Sequence, residues 1–161
     1  MTENGVTVEV PARSLGAVKG LGWLSILGGI ALIVVALVIW IMVATQLRAE
    51  NITIPDDAIA FQGQTVQGPF TAFVQADIIQ KHALEASGGK TYAELAQDDP
   101  VRGMMMNASF LRSSLFTSVV SFGVAAFAAG VGLLFIFIGW SLRRLASAPV
   151  VVKTTPIAGS N

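Results

Sequence analysis

Leu21-Gly-Trp-Leu-Ser-Ile-Leu-Gly-Gly-Ile-Ala-Leu-Ile-Val-Val-Ala-Leu-Val-Ile-Trp-Ile-Met-Val-Ala-Thr45 holds no charged residue, and neither does the stretch from Leu115 to Leu142. At a rise of ~1.5 Å per residue these runs make helices of about 37 and 42 Å, longer than the roughly 30 Å hydrocarbon core of a bilayer. The sequence therefore predicts a mainly α, integral membrane protein. Its transmembrane helices are placed at 20-46 and 114-142, forming a hairpin around a polar insert at 47-113. That insert carries eight of the ten acidic residues and the single histidine.

Composition narrows the function classes. Ten basic residues balance ten acidic ones with no Lys/Arg run, so a nucleic-acid footprint is missing. Cysteine is absent, which excludes disulfides, thiol chemistry and cysteine lipidation. The first apolar run is too long for a secretory leader's core and lacks a small-residue cleavage site after it, so it reads as an uncleaved anchor.

Orientation follows from the basic residues that flank each span, which tend to stay in the cytoplasm. Arg13, Lys19, Arg143, Arg144 and Lys153 lie on the terminal side, against Arg48, Arg102 and Arg112 on the insert side. Both termini are expected in the cytoplasm of a cell (inner) membrane protein, with an extracytoplasmic cap. The 1-19 and 143-161 segments read as a loose N-terminal tail and a disordered C-terminal one.

Within the cap, Asn51-Ile-Thr-Ile and the stretch around Gly63 and Gly68 suit two short extended pieces able to pair as a hairpin. Pro69 can open a helix over 70–87, stopped by Gly88-Gly89. Thr91-Tyr-Ala-Glu94 has the pattern of a capping box, with a short helix to Ala96. Asp99 and Pro100 then start a helix that nothing interrupts before Ala146.

Two sets of residues stand out as contact surfaces. Small residues at four-residue steps, Ser25 and Gly29 in the first span and Ser121, Ala125, Ala126, Ala129, Gly130 and Gly132 in the second, allow helix backbones to approach closely. In the cap, Ala72, Ala76, Ile79 and Ala83 form a narrow stripe that, with Met104 and Met105, makes a candidate surface for a protein partner. Asp77, Lys81 and Glu85 are spaced for pairing along the same helix.

Candidate chemistry is sparse. His82 and Glu85 supply two of the three or four ligands a metal needs, with no second histidine or cysteine in the chain. Asp56-Asp57 and Asp98-Asp99 sit where carboxylates cap turns and helix starts. Met104, Met105 and Met106 point ~100° apart on a helix and do not converge on one ion. Ser109, Ser113 and Ser114 lie on the long helix with no histidine base nearby in sequence, and no Gly-x-Ser-x-Gly elbow occurs.

The segments Gly68-Pro-Phe-Thr-Ala-Phe, Ala76-Asp-Ile-Ile-Gln-Lys-His-Ala-Leu-Glu-Ala, Gly89-Lys-Thr-Tyr-Ala-Glu-Leu, Gln97-Asp-Asp-Pro and Met106-Asn-Ala-Ser-Phe-Leu-Arg-Ser-Ser-Leu-Phe resemble a family of actinobacterial two-span membrane proteins. The likeness covers roughly residues 21 to 145. Its members carry the label of aromatic ring-opening dioxygenases, which implies a non-haem iron. Such an iron is usually held by two histidines and a carboxylate, and His82 stands alone. The expectation is thus a non-enzymatic protein without cofactor or metal, an accessory or scaffold for another membrane or envelope protein. A sensing or carrier module with an apolar pocket for a lipid or small hydrophobe is the alternative.

Overall fold

A computed structural model describes residues 12–147. Of the expected tails at 1-19 and 143-161, residues 1-11 and 148-161 lie outside the described residues, while 12-19 are helical as the start of α1 and 143-145 as the end of α3. The order is helix α1 (Ala12–Ala49), helix α2 (Pro69–Ala86), a 3-10 turn (Tyr92–Glu94) and helix α3 (Arg102–Leu145). The fold is mainly helical. α1 and α3 contain stretches long and apolar enough to cross a membrane, with mean hydropathy of 3.0 and 2.4 in their most apolar windows.

One compact unit joins the described residues up to Ala31 with those from Val131 onward, and the other comprises Leu32–Gly130. In the first unit the two helices touch backbone to backbone. A Cβ placed on Gly22 would stand 2.8 Å from the Gly139 carbonyl and 2.6 Å from Cγ of Arg143. One placed on Gly29 would collide with the Gly132 carbonyl and sit 2.9 Å from Cγ1 of Ile136, and one on Gly139 would collide with the Gly22 carbonyl. Only hydrogen fits at these three sites. Ser25 adds a bond across the seam, its hydroxyl donating to the Phe135 carbonyl at 2.7 Å. Buried small residues recur at a step of seven: Gly22 and Gly29 on α1 and Gly132 and Gly139 on α3 in this unit, with Ala36 and Ala125 at the same step in the other. A seven-residue repeat keeps one seam facing a partner helix, whereas four-residue steps drift around the cylinder.

The expected packing residues therefore divide. Ser25, Gly29 and Gly132 lie on the seam of the first unit, and in the second unit Ala125 is buried while Ser121 and Ala129 are half-buried. Ala126 and Gly130 face outward, with open space around Gly130. Gly22 and Gly139, which the four-residue pattern passes over, approach as closely as Gly29 and Gly132.

The second unit has a core built from four sources. The end of α1 supplies Leu47 with Val43 and Ala44; the following loop supplies Ile54, Ala58 and Val66; α2 supplies Ala72, Val74, Ala76 and Ile78; and α3 supplies Leu115 and Phe122. Trp40 meets Phe122 edge-on at 4.7 Å, and Phe73 meets Phe116 at 5.8 Å, arrangements that aromatic rings favour. The stripe Ala72, Ala76 and Ala83 is buried inside the chain together with Met105, and is not an open partner surface. Small side chains serve here to bring α2 close to its own neighbours. Ile79 is half-buried, and Met104 is exposed.

Among the described residues the expected hairpin reduces to a single antiparallel bridge, Thr53 to Thr65. Backbone bonds from Ile54 to Gln64, Gly63 to Ile54 and Val66 to Ile52 hold the loop, and positive φ at Phe61 and Gly63 turns it too sharply for a longer ladder. α2 begins at Pro69, and Gly88 and Gly89 close it with φ of 65° and 86°, the Gly89 N–H bonding the Leu84 carbonyl at 2.7 Å. The capping box holds, Glu94 accepting from the Thr91 N–H and hydroxyl at 2.7 Å each, but its helix stops at Glu94. α3 starts two residues later than Pro100, after Asp99 has taken the Val101 N–H at 2.9 Å.

Gly29→Leu or Gly139→Leu is expected to push α1 and α3 apart at a cost of ~1–3 kcal/mol. Gly130→Leu and Ala126→Leu, on the outer surface, should stay within ~0.5 kcal/mol of the native chain. Thermal unfolding in mild detergent compares the two classes, and equal effects would show that the glycine contact contributes nothing.

Candidate functional site

In the second unit, α2 and α3 leave an open apolar groove between them. Ile79, His82 and Ala83 of α2 line one wall, and Met104, Asn107, Ala108 and Leu111 of α3 line the other. Its volume is about 260 Å³. The floor is firm, because Ala83 is buried with Leu95 and Met105, and Tyr92, Val101 and Ala108 pack around them. Arg102 closes the end of this small core. Its guanidinium lies 4.2 Å over the Tyr92 ring and donates to the Leu95 carbonyl at 2.5 Å. The rim is apolar and open: Met104 is exposed, and the α3 surface continues through Phe110 and Leu111, 65% and 55% exposed.

Three of the six residues read as a partner surface, Ile79, Ala83 and Met104, thus meet in this groove. Ala72 and Ala76 are spent in the core instead, and Met105 lies in the floor. His82, Asn107, Ala108 and Leu111 complete the walls, though no pattern along one helix marks them. They become neighbours only when α2 folds back against α3.

His82 also has a partner that its own helix does not provide. Its Nε2 donates to Oδ2 of Asp57 at 2.7 Å, and Lys81 Nζ reaches the same oxygen at 3.4 Å. Lys81 therefore pairs with the loop, not with Asp77 or Glu85 along α2, because Asp57 offers one oxygen to two donors. The hydrogen bond from His82 holds the Asp57 carboxyl below its ordinary 3.8, loss of solvent works the other way, and the His82 charge and Lys81 add to the lowering. Glu94 is lowered as well, first by the Thr91 N–H and then by its hydroxyl. Two side chains of metal-ligating type, Asp57 and His82, meet here, and among the described residues no group of three or more gathers.

Among the described residues two buried polar atoms lack a hydrogen-bond partner, Oε1 of Gln75 on α2 and Nε of Arg112 on α3. The Arg112 guanidinium lies 5.2 Å over the Phe116 ring, which provides its positive charge with an aromatic face. Neither atom lines the groove.

Compared with protein-family models, curated proteins and solved structures, the chain matches none. The groove geometry and the apolar helices carry the functional argument by themselves.

Asp57→Asn is expected to loosen the loop from α2. Because the folded chain favours the ionised carboxylate, the stabilisation is present above the unfolded value near 3.8 and is lost as pH falls through the lower folded value. Wild type should melt above the Asn variant at pH 6, and the gap should narrow as pH is lowered below 3.8. A difference that persists unchanged at pH 3 would show that Asp57 acts by something other than its charge.

Proposed function

We propose that this chain is a non-catalytic inner-membrane protein, both termini cytoplasmic and the cap outside, that binds another membrane or envelope protein through its α2–α3 groove. The observation that carries the partner reading is the open, apolar groove with Met104 and Leu111 exposed on its rim.

The membrane reading rests on where the apolar surface lies. Only 11% and 17% of the residues in the most apolar windows of α1 and α3 are buried within the chain. A core helix of a soluble protein would be covered by its own fold, whereas here Leu24, Ile41, Phe127 and Phe137 are all more than 60% exposed. Exposed apolar surface on this scale asks for lipid or protein cover. Hydroxyls along these helices turn inward to their own backbone: Thr45 to Ile41, Thr117 to Ser113 and Ser121 to Thr117. Such internal satisfaction is what a segment without water requires.

Size decides between the two occupants of the groove. Pockets that enclose small ligands usually measure about 300–1,000 Å³ and bury most of the ligand. This groove is smaller and open, a shape suited to one or two side chains of a protein partner. A carrier of small hydrophobes is therefore the second reading. The residue inventory, with one histidine and no cysteine, supports a non-enzymatic role.

A photo-crosslinking side chain at Asn107 is expected to capture a defined membrane protein in native membranes. Met104→Asp or Leu111→Asp, both at exposed positions, should cut that capture at least tenfold while leaving the cap folded. Capture unaffected by either charge, or a co-purifying small hydrophobe displaced by both, would remove the partner reading. A reporter that matures only outside the cytoplasm should be active when fused at Gly88 and silent at the C-terminus; the reverse pattern would invert the topology.

A further inference from the structure

The described ends of α1 and α3 in the first unit carry a cluster that neither the groove nor the glycine seam explains. Arg143 reaches across from α3 and lays its guanidinium 4.1 Å over the ring of Trp23 on α1. Arg144 lies 4.7 Å over Trp140, four residues back on its own helix. The stem of Arg143 rests in the notch left by Gly22, where a Cβ would meet its Cγ at 2.6 Å and its Cδ at 3.5 Å. Lys19 stands one turn before Trp23, exposed. Among the described residues of this unit there is no aspartate or glutamate.

From this arrangement we infer that Arg143, Arg144 and Lys19, framed by Trp23 and Trp140, form a binding surface for the phosphate headgroups of anionic lipids. The inference rests on the membrane reading above. Trp23 and Trp140 are each 51% exposed, so each ring has surface left for the interfacial layer where amphipathic rings settle. A guanidinium stacked on an indole has one face covered and its N–H edge open, and that planar edge matches two oxygens of a phosphate. Stacking also limits the rotamers of two long side chains before the lipid arrives, so less freedom is lost on binding.

Charge complementarity selects the occupant. With no carboxylate among the described residues of this unit, the three cations attract an anionic leaflet over a neutral or basic one. Each basic residue near such a surface contributes about a fivefold preference at ordinary ionic strength. The last turn of α3 adds its own pull on Arg143 and Arg144, because cations are favoured at a helix C-terminus. The two arginines are thereby held where the chain leaves the apolar layer.

The full chain, purified in mild detergent and placed in vesicles of phosphatidylcholine alone or with one-third phosphatidylglycerol, provides the test. Lipids retained after extraction are counted by native mass spectrometry. Wild type is expected to retain phosphatidylglycerol over phosphatidylcholine in a ratio at least tenfold above that of the bulk lipid, and Arg143→Gln/Arg144→Gln should lose most of that excess. Lys81→Gln/Lys90→Gln removes the same charge from the cap and should retain the wild-type excess. Rising salt should weaken the preference in the wild type. An equal excess in the arginine variant and the wild type, a loss of the same size in the lysine variant, or a preference indifferent to salt would each overturn the headgroup site. Failure to float with vesicles of either composition would instead overturn the membrane reading beneath it, whereas stable insertion without lipid preference overturns the headgroup site alone.

Discussion

Contact of backbone with backbone at Gly22 and Gly139, and at Gly29 and Gly132, is the constraint on which the long helices depend. The carbonyls of Gly22 and Gly139 each occupy the space where the other's Cβ would be, and the Gly132 carbonyl occupies that of Gly29. On the proposed membrane reading, burying more apolar surface between two helices whose outer faces are already apolar offers little gain, so close van der Waals contact and the Ser25–Phe135 hydrogen bond carry the association. Leucine side chains at those positions would hold the axes apart and remove both. The same two helices continue into the second unit as α1 and α3, where they contribute Val43, Leu47, Leu115 and Phe122 to a compact core.

That core is small, and polar stitching compensates for its size. Loops and helix ends are tied by specific bonds: Thr71 accepts from the Gly68 N–H at 3.0 Å, Arg48 donates to Gln67 at 2.7 Å, and Asp57 gathers His82 and Lys81. Each tie is exposed or partly so, and each is worth little alone. Together they fix a loop of some twenty residues that has one antiparallel bridge and few apolar anchors. Ile54 and Val66, both almost wholly buried, are those anchors.

The two surfaces singled out for binding differ in chemistry. The α2–α3 groove is apolar and shallow, with Met104 adaptable in shape at its rim, which suits side chains of a protein partner. The Trp23 and Trp140 cluster is cationic and aromatic, which suits phosphate at an interface. An accessory protein that is held by headgroups at one surface and by a partner at another would need no catalytic residues of its own.

Reading the sequence alone determined what local composition controls. The uncharged runs place two long helices, Pro69 and Gly88-Gly89 bound α2, and Thr91 with Glu94 closes a turn, because each signal lies within a few residues and its physics is local. The seven-residue step through Gly22, Gly29 and Ala36 was also legible, although the shorter four-residue step draws attention first and points to Ala126 and Gly130, which face outward. Tertiary structure alone decided which side of a stripe is used. Ala72, Ala76 and Ala83 are small at helical spacing whether they meet a partner or their own chain, and only the fold of α2 against its neighbours turns them inward. The groove and the Asp57–His82 bond join residues twenty or more positions apart, so no local pattern encodes them. They exist because the chain reverses direction, and the energy that reverses it is the burial of Ile54, Val66 and Phe122 in one core and of Ala83, Leu95 and Met105 in the other.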